Sequence, residues 1–186
     1  MRPRYASIAL ILALGLAACG HRSSHPTDVG ANNDGTYVYA GPVTYQLQVS
    51  RELNPYDTED SQYVAGVASS NSSLKPDELW YGVFLWAKNQ TGTPQTTASQ
   101  FDIVDTEGNK YYPVTLTRSA NPYAWSSQTL APSGTEPAAD TTASTGPTQG
   151  RLLLFKLNTS VYSNRPLKLE IYASGQAQAS TITLDL

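Results

Sequence analysis

The sequence predicts an all-β protein, an antiparallel two-sheet β-sandwich of immunoglobulin type with about seven or eight strands. Three observations carry this expectation. From Tyr37 onward, runs of β-branched and aromatic residues alternate with turn-rich stretches. No helical period lasts more than a turn or two, so nothing supplies the crossover helices that parallel strands need. Several segments also alternate between apolar and polar residues, the period of a strand with one face buried.

In Val43 to Ser50, Val43, Tyr45, Leu47 and Val49 alternate with Thr44, Gln46, Gln48 and Ser50, which places all four apolar residues on one inward face. Tyr63 to Val67 is a candidate short strand. Leu79 to Lys88 is the most apolar segment and is expected at the centre of a sheet. Phe101 to Val104 and Tyr111 to Leu116 flank Asp105-Thr106-Glu107-Gly108-Asn109, whose Gly-Asn pair supplies the positive φ of a hairpin turn. Arg151 to Leu157, Leu167 to Ala173 and Thr181 to Leu186 complete the set. The last two turn Leu167, Leu169 and Ile171, and Ile182, Leu184 and Leu186, inward.

Two stretches interrupt the pattern. Asn54 to Lys75 holds the acidic group Asp57, Glu59 and Asp60 and a Ser/Asn run. Ser119 to Gln149 is longer, and a connection of that length is either functional or disordered. Its Ser, Thr, Ala and Pro content favours disorder or an exposed, glycosylated ribbon for Ser133 to Gln149, while Tyr123 and Trp125 pin the first part to the sandwich.

The N-terminus reads as a lipoprotein signal. Arg2 and Arg4 form a basic n-region, Ala6 to Leu16 an apolar segment too short to span a bilayer, and Leu16-Ala17-Ala18-Cys19 a lipobox. Residues 1–18 are therefore expected to be removed and Cys19, the single cysteine, to be diacylated. Each buried methylene contributes about 0.8 kcal/mol, so two chains anchor stably where one does not. Residues 19–36 are rich in Gly, Ser, Asn and Asp and read as a flexible tether, followed by the sandwich over 37–186. The expected location is the cell membrane, lipid-anchored and facing the extracytoplasmic side.

Charge and cysteine content narrow the partners. The chain has 12 Lys+Arg and 15 Asp+Glu; losing Arg2 and Arg4 with the signal leaves ten against fifteen, a net charge of about −5. Such a surface repels nucleic acid. With Cys19 acylated no disulfide is available, and packing and strand pairing must hold the domain.

Leu79-WYGVFLWAKN-Gln90, followed by FDIVDTEGNKYYPV, resembles a bacterial exported domain of unknown function described as telokin-like or immunoprotective-extracellular-like, common in lipoproteins of Gram-positive and actinobacterial envelopes. The matching positions are Val83, Leu85 and Asn89, then Phe101, Asp105, Gly108 and Tyr111 or Tyr112. Leu130-Ala131-Pro132-Ser133-Gly134 and Gly150 to Phe155 match a later part of the pattern, with a Thr/Ala/Pro insertion between. The resemblance covers roughly Thr44 to Ala173. It implies an immunoglobulin-like sandwich with no established enzymatic activity, and it supplies no functional residue.

Chemistry is sparse. The only histidines, His21 and His25, lie in the tether, so a Ser-His-Asp triad or histidine base within the sandwich is excluded. Pro26 and the preceding serines disfavour the helix that would let the pair chelate a metal. Asp57, Glu59 and Asp60 are weak cation candidates without the glycine and bidentate glutamate of an EF-hand loop. Asp77-Glu78 and Asp102, Asp105 and Glu107 could supply carboxylates for glycoside hydrolysis, but no spacing sets two across a cleft. Asn71-Ser72-Ser73, Asn89-Gln90-Thr91 and Asn158-Thr159-Ser160 fit a glycosylation pattern that a bacterial lipobox makes accidental. No catalytic residue and no cofactor are expected.

The aromatic pattern points to recognition. On the Leu79 strand both faces are apolar, with Trp80, Phe84 and Trp86 opposite Leu79, Tyr81, Val83 and Leu85. The Arg151 strand repeats this with Leu152 and Leu154. If these strands are neighbours, as family analogy places them, Trp80, Phe84, Trp86, Leu152 and Leu154 form an outer apolar patch. Such a patch docks a partner unless the Tyr123 to Leu130 segment or another strand covers it. The expected function is a non-enzymatic cell-envelope lipoprotein presenting an immunoglobulin-like domain to an envelope protein. The alternative is a glycan- or cation-binding module of the same fold, and an envelope hydrolase comes third.

Overall fold

A computed structural model describes residues 28–29, 37–184 and 186. The lipobox, Cys19 and the rest of 1–27 and 30–36 lie outside the described residues. The strands are β1 (Asp28–Val29), β2 (Tyr37–Ala40), β3 (Val43–Leu53), β4 (Glu78–Asn89), β5 (Gln95–Thr96), β6 (Gln100–Val104), β7 (Lys110–Tyr111), β8 (Thr129–Leu130), β9 (Thr135–Glu136), β10 (Arg151–Asn158), β11 (Leu167–Tyr172) and β12 (Ser180–Leu184). One four-residue helix, α1 (Thr142–Thr145), precedes β10. β1 falls inside the stretch read as tether and pairs with β12, in parallel.

Two sheets face each other. One runs β1-β12-β11-β6-β7; the other runs β10-β4-β3-β2, with β9 continuing the β10 edge of β4. A small ribbon, β5 with β8, stands apart. The chain crosses between sheets after β4, returns so that β10 lies beside β4, and crosses again so that β11 lies beside β6. These crossings are those of an immunoglobulin-type sandwich, and all pairs in the two sheets except β1 with β12 are antiparallel.

The main core lies between the sheets and follows the period-two reading. Tyr45 and Leu47, Tyr81, Val83 and Leu85, Leu153 and Phe155, Phe101 and Ile103, Leu169 and Ile171, and Ile182 and Leu184 are all buried there. Each such aliphatic side chain contributes about 1.5–3 kcal/mol relative to an exposed one. The hairpin forms as expected: Gly108 adopts φ +84°, and Ile103 pairs with Tyr111. The strand after it is shorter than expected, because Pro113 has no N–H to continue the ladder and bridges Phe155 of β10 instead.

Val49 departs from the reading. The β3–β4 register shifts between Leu47 and Val49, so Leu47 stands opposite Leu85 but Val49 opposite Phe84. This bulge reverses the parity of β3 and sends Val49 and Leu53 to the outer face. There they join a second core of Trp80, Phe84, Leu152 and Leu154 roofed by Tyr63, Tyr123 and Ala143, with Val114 and Leu116 packed at its edge. Tyr63 meets Phe84 and Tyr123 edge-on, each at 4.9 Å between ring centres, pairs worth about 0.5–1.5 kcal/mol beyond their burial. A Cβ at Gly82 would stand 2.9 Å from Leu53 Cδ1, so glycine lets this layer close. Tyr63 to Val67 is not a strand; Val67 bridges Leu116 and the segment serves as roof.

The 119–149 connection is folded, not an exposed ribbon. It contributes β8, β9 and α1, and buries Ala143, whose carbonyl accepts from Gly150 N at 2.7 Å.

Candidate functional site

The outer apolar patch is not available as a docking face. Trp80, Phe84, Leu152 and Leu154 are each at most 2% exposed. β4 and β10 do pair, with Leu152 opposite Phe84, so the patch exists as placed. What closes it is the roof described above, drawn from 60–67, 114–123 and α1 rather than from the Tyr123 to Leu130 segment alone. Trp86 is half-buried, and its indole Nε1 is enclosed without a hydrogen-bond partner.

The acidic group at 57–60 is engaged internally. Asp60 takes a two-pronged contact from Arg51, at 3.0 and 2.5 Å, and the Asn54 N–H at 2.9 Å. Burial alone pushes the Asp60 carboxyl up, but Arg51 and the Asn54 amide outweigh it and hold it below its ordinary value. Asp57 Oδ1 accepts from the N–H groups of Glu59 and Asp60. Among the described residues no group of three or more His, Cys, Asp or Glu side chains is placed to hold a metal ion, and Asp60 is committed to Arg51.

The residues that carry the family resemblance are structural hubs. Buried Asn89 donates through Nδ2 to the carbonyls of Thr93, Leu130 and Ala131, at 2.8, 3.1 and 3.0 Å, while its own N–H donates to Gly134 O. The two separated parts of the pattern therefore meet at one side chain. Asp105 accepts from Glu107 N, Asn109 N and Nδ2, Tyr111 Oη and Asn164 Nδ2 and locks the hairpin turn. Asp77 and Glu78 are likewise bound to Asn158 and to Lys75 and Lys156.

Asp102 finds a partner that its sequence neighbours do not reveal. β6 and β11 set it opposite Glu170 on the outer face of the first sheet. Lys110 Nζ bridges the two, 3.0 Å from Asp102 Oδ2 and 2.9 Å from Glu170 Oε2, and Tyr172 Oη lies 2.5 Å from Glu170 and 3.2 Å from Asp102. Hydrogen bonds to Glu170, Tyr172 and Asp102 push the Lys110 ammonium up. Burial raises Glu170, but Tyr172 and Lys110 prevail and lower it. A glycosidase acid needs a raised carboxyl, so Glu170 is poised the wrong way for proton donation.

The accessible concavity lies beside this cluster. At one lateral opening the sheets are tied together, with Ser180 Oγ donating to Tyr39 O at 2.6 Å. At the other β7 stops, and the chain beyond it bridges to β10 through Pro113 with Phe155 and Val114 N with Leu154 O, leaving a cleft of about 390 Å³ walled by Ser99 to Asp102 on one side and Pro113 to Leu116 on the other, with Trp125 and Leu153 among its lining. Trp125 is fixed there by its Nε1 donating to Ala98 O at 3.0 Å and by Phe101, edge-on at 5.3 Å. A second groove of about 320 Å³ shares Ser99 and Gln100 and is bounded by Ala173 to Gln176. No sequence motif marks either; the one available signal was Pro113, which ends the pairing of β7.

No family model matches the chain, and no curated protein matches it. Among solved structures, it is similar to the yjhA protein of Bacillus subtilis at 11% identity and TM-score 0.47, covering 81% of this chain and 97% of that one. It is similar to a candidate lipoprotein of B. subtilis, ycdA, at 12% identity and TM-score 0.47, over 80% of this chain and 38% of that one. An uncharacterised β-sandwich protein of Clostridium difficile 630 aligns at 11% identity and TM-score 0.43, over 87% and 97%. No helix of the described residues is long and apolar enough to cross a membrane.

Proposed function

We propose that this chain is a non-catalytic recognition module of the bacterial envelope, anchored through diacylated Cys19, that binds a partner protein in the cleft between Ser99–Asp102 and Pro113–Leu116. The carrying observation is the cleft itself, about 390 Å³ between β6 and the segment that leaves β7 to bridge β10. The outer aromatic face cannot serve, since it is core. The telokin-like resemblance is part of this reading and rests on Val83, Leu85 and Asn89, then Phe101, Asp105, Gly108 and Tyr111 or Tyr112. A glycan in the same cleft is the lesser reading, because the Trp125 ring packs against Tyr45 and Phe101 and its N–H is committed to Ala98.

Photo-cross-linking in intact cells tests it. A cross-linking residue at Thr115, on the cleft wall, should trap a discrete protein, and one at Tyr56, 95% exposed elsewhere, should not. Equal or absent trapping at both sites removes the cleft as the binding site. The anchor is tested separately: C19S should abolish fatty-acid labelling and release the protein from the membrane fraction.

A further inference from the structure

The β6 wall of the cleft says what kind of ligand it takes, given the binding reading above. In an antiparallel strand the backbone groups point alternately to the two neighbours. Asp105 N donates to Asn109 O at 3.2 Å and Ile103 pairs with Tyr111, so the odd residues of this strand turn their N–H and C=O to the side of β7; Thr106 N, by contrast, donates to Asn164 O on the side of β11. Continuing the hairpin register, the residue due opposite Phe101 is Pro113. It has no N–H to offer, and it bridges Phe155 instead. The N–H and C=O of Phe101 thus face the cleft with no strand opposite.

An unpaired strand edge is a template for another extended chain. Ser99, Gln100, Phe101 and Asp102 include neither proline nor lysine, the residues that most often block such an edge. An added strand would alternate its side chains. The residue opposite Phe101 would turn inward toward Trp125 and Leu153, and its neighbour would turn outward beside Asp102. On the outer face the carboxylate next to the cleft is Asp102: Lys110 is shared between Asp102 and Glu170, Lys168 acts on Glu170, and both bonds to Asp102 reach Oδ2.

We infer that the open edge of β6 at Phe101, between Gln100 and Asp102, accepts an extended segment of a partner protein as an added strand, with an apolar side chain entering the cleft beside Trp125 and a lysine or arginine set against Asp102. Main-chain pairing gives the affinity and the Asp102 charge selects the side chain.

Fluorescence anisotropy with the mature lipidated protein in detergent micelles tests this, using labelled hexapeptides that alternate Thr and Val around a central Lys, Gln or Glu. The Lys peptide should bind roughly fivefold tighter than the Gln peptide and the Glu peptide weakest, the scale of one cross-strand charge pair. N-methylation of the amides on one edge of the peptide should abolish binding, and methylation of the alternate amides should not. Binding should slow hydrogen exchange in 99–104. D102N should level Lys with Gln, and Q100K, an exposed substitution that spares the fold, should reverse the order in favour of Glu. Equal binding of all three peptides, or indifference to N-methylation, overturns the inference. So does a dimer with slowed 99–104 exchange in the absence of peptide, which assigns the edge to a second copy. If no peptide binds while Thr115 still cross-links a protein, the strand-addition inference fails and the cleft reading stands; if both fail, both are lost.

Discussion

The Ala98 N–H donates to the Tyr45 hydroxyl at 2.6 Å, joining β3 in one sheet to the approach of β6 in the other across 53 positions of sequence. Burial, partly offset by this bond, pushes the Tyr45 phenol up to about 12 from 10.0. Y45F removes the acceptor and leaves a buried amide unpaired, a cost of about 1–3 kcal/mol and a fall of roughly 3–10 °C in Tm. The phenol also sets an alkaline limit. The unfolded chain ionises Tyr45 near 10 while the folded chain resists until about 12, so its contribution is full below 10 and lost as pH rises toward 12. Chemical denaturation from pH 9 to 12 should show a shallower decline for Y45F.

Phe84 separates the roofed layer from a docking face. It is fully buried beneath Tyr63. F84A should cost about 3–5 kcal/mol, the range for a large core side chain, whereas Y112S at a 64% exposed site should stay within about 0.5 kcal/mol. Equal, small effects in urea melts would return Phe84 to the surface.

Asp105 is the polar counterpart. Burial raises its carboxyl, but Asn109, Asn164 and the Glu107 amide outweigh burial and hold it below the ordinary 3.8. Its stabilisation is therefore present above 3.8 and lost as pH falls below that value through its lowered one. D105A should cost about 2 kcal/mol by stranding turn donors. It should also flatten the acid limb of the stability profile, read by denaturant midpoints between pH 2 and 6.

Period two made the main core legible, because Leu167, Leu169 and Ile171 and their counterparts bury one face only. The hairpin was legible from Gly108. The second layer was not, for a physical reason: a one-residue bulge near Gln48 leaves no local mark, yet it moves Val49 and Leu53 to the other face. The doubled apolar character of β4 and β10 was readable, and it meant a buried sheet with both faces covered. Composition misled at 133–149, where Thr and Ala form a short capped helix that docks on Tyr123. The Asp102–Glu170 pair depends on the β6–β11 register, and its partners lie 68 positions apart in the numbering of this chain.

The Glu136–Arg151 pair gives the last test. Glu136, on β9, is 2% exposed, and its Oε1 accepts from Arg151 Nε while Oε2 is enclosed without a partner. Arg151 also donates through Nη1 to Pro122 O, so one guanidinium ties β10 to both ends of the 122–136 connection. Taking two charges out of water offsets most of their attraction, but removing one partner strands the other. R151M should therefore cost about 3–5 kcal/mol, whereas R151M/E136L, which replaces both charges with apolar groups, should recover most of that loss. A double variant no more stable than R151M would mean that the Pro122 contact, rather than the ion pair, holds this corner of the sandwich.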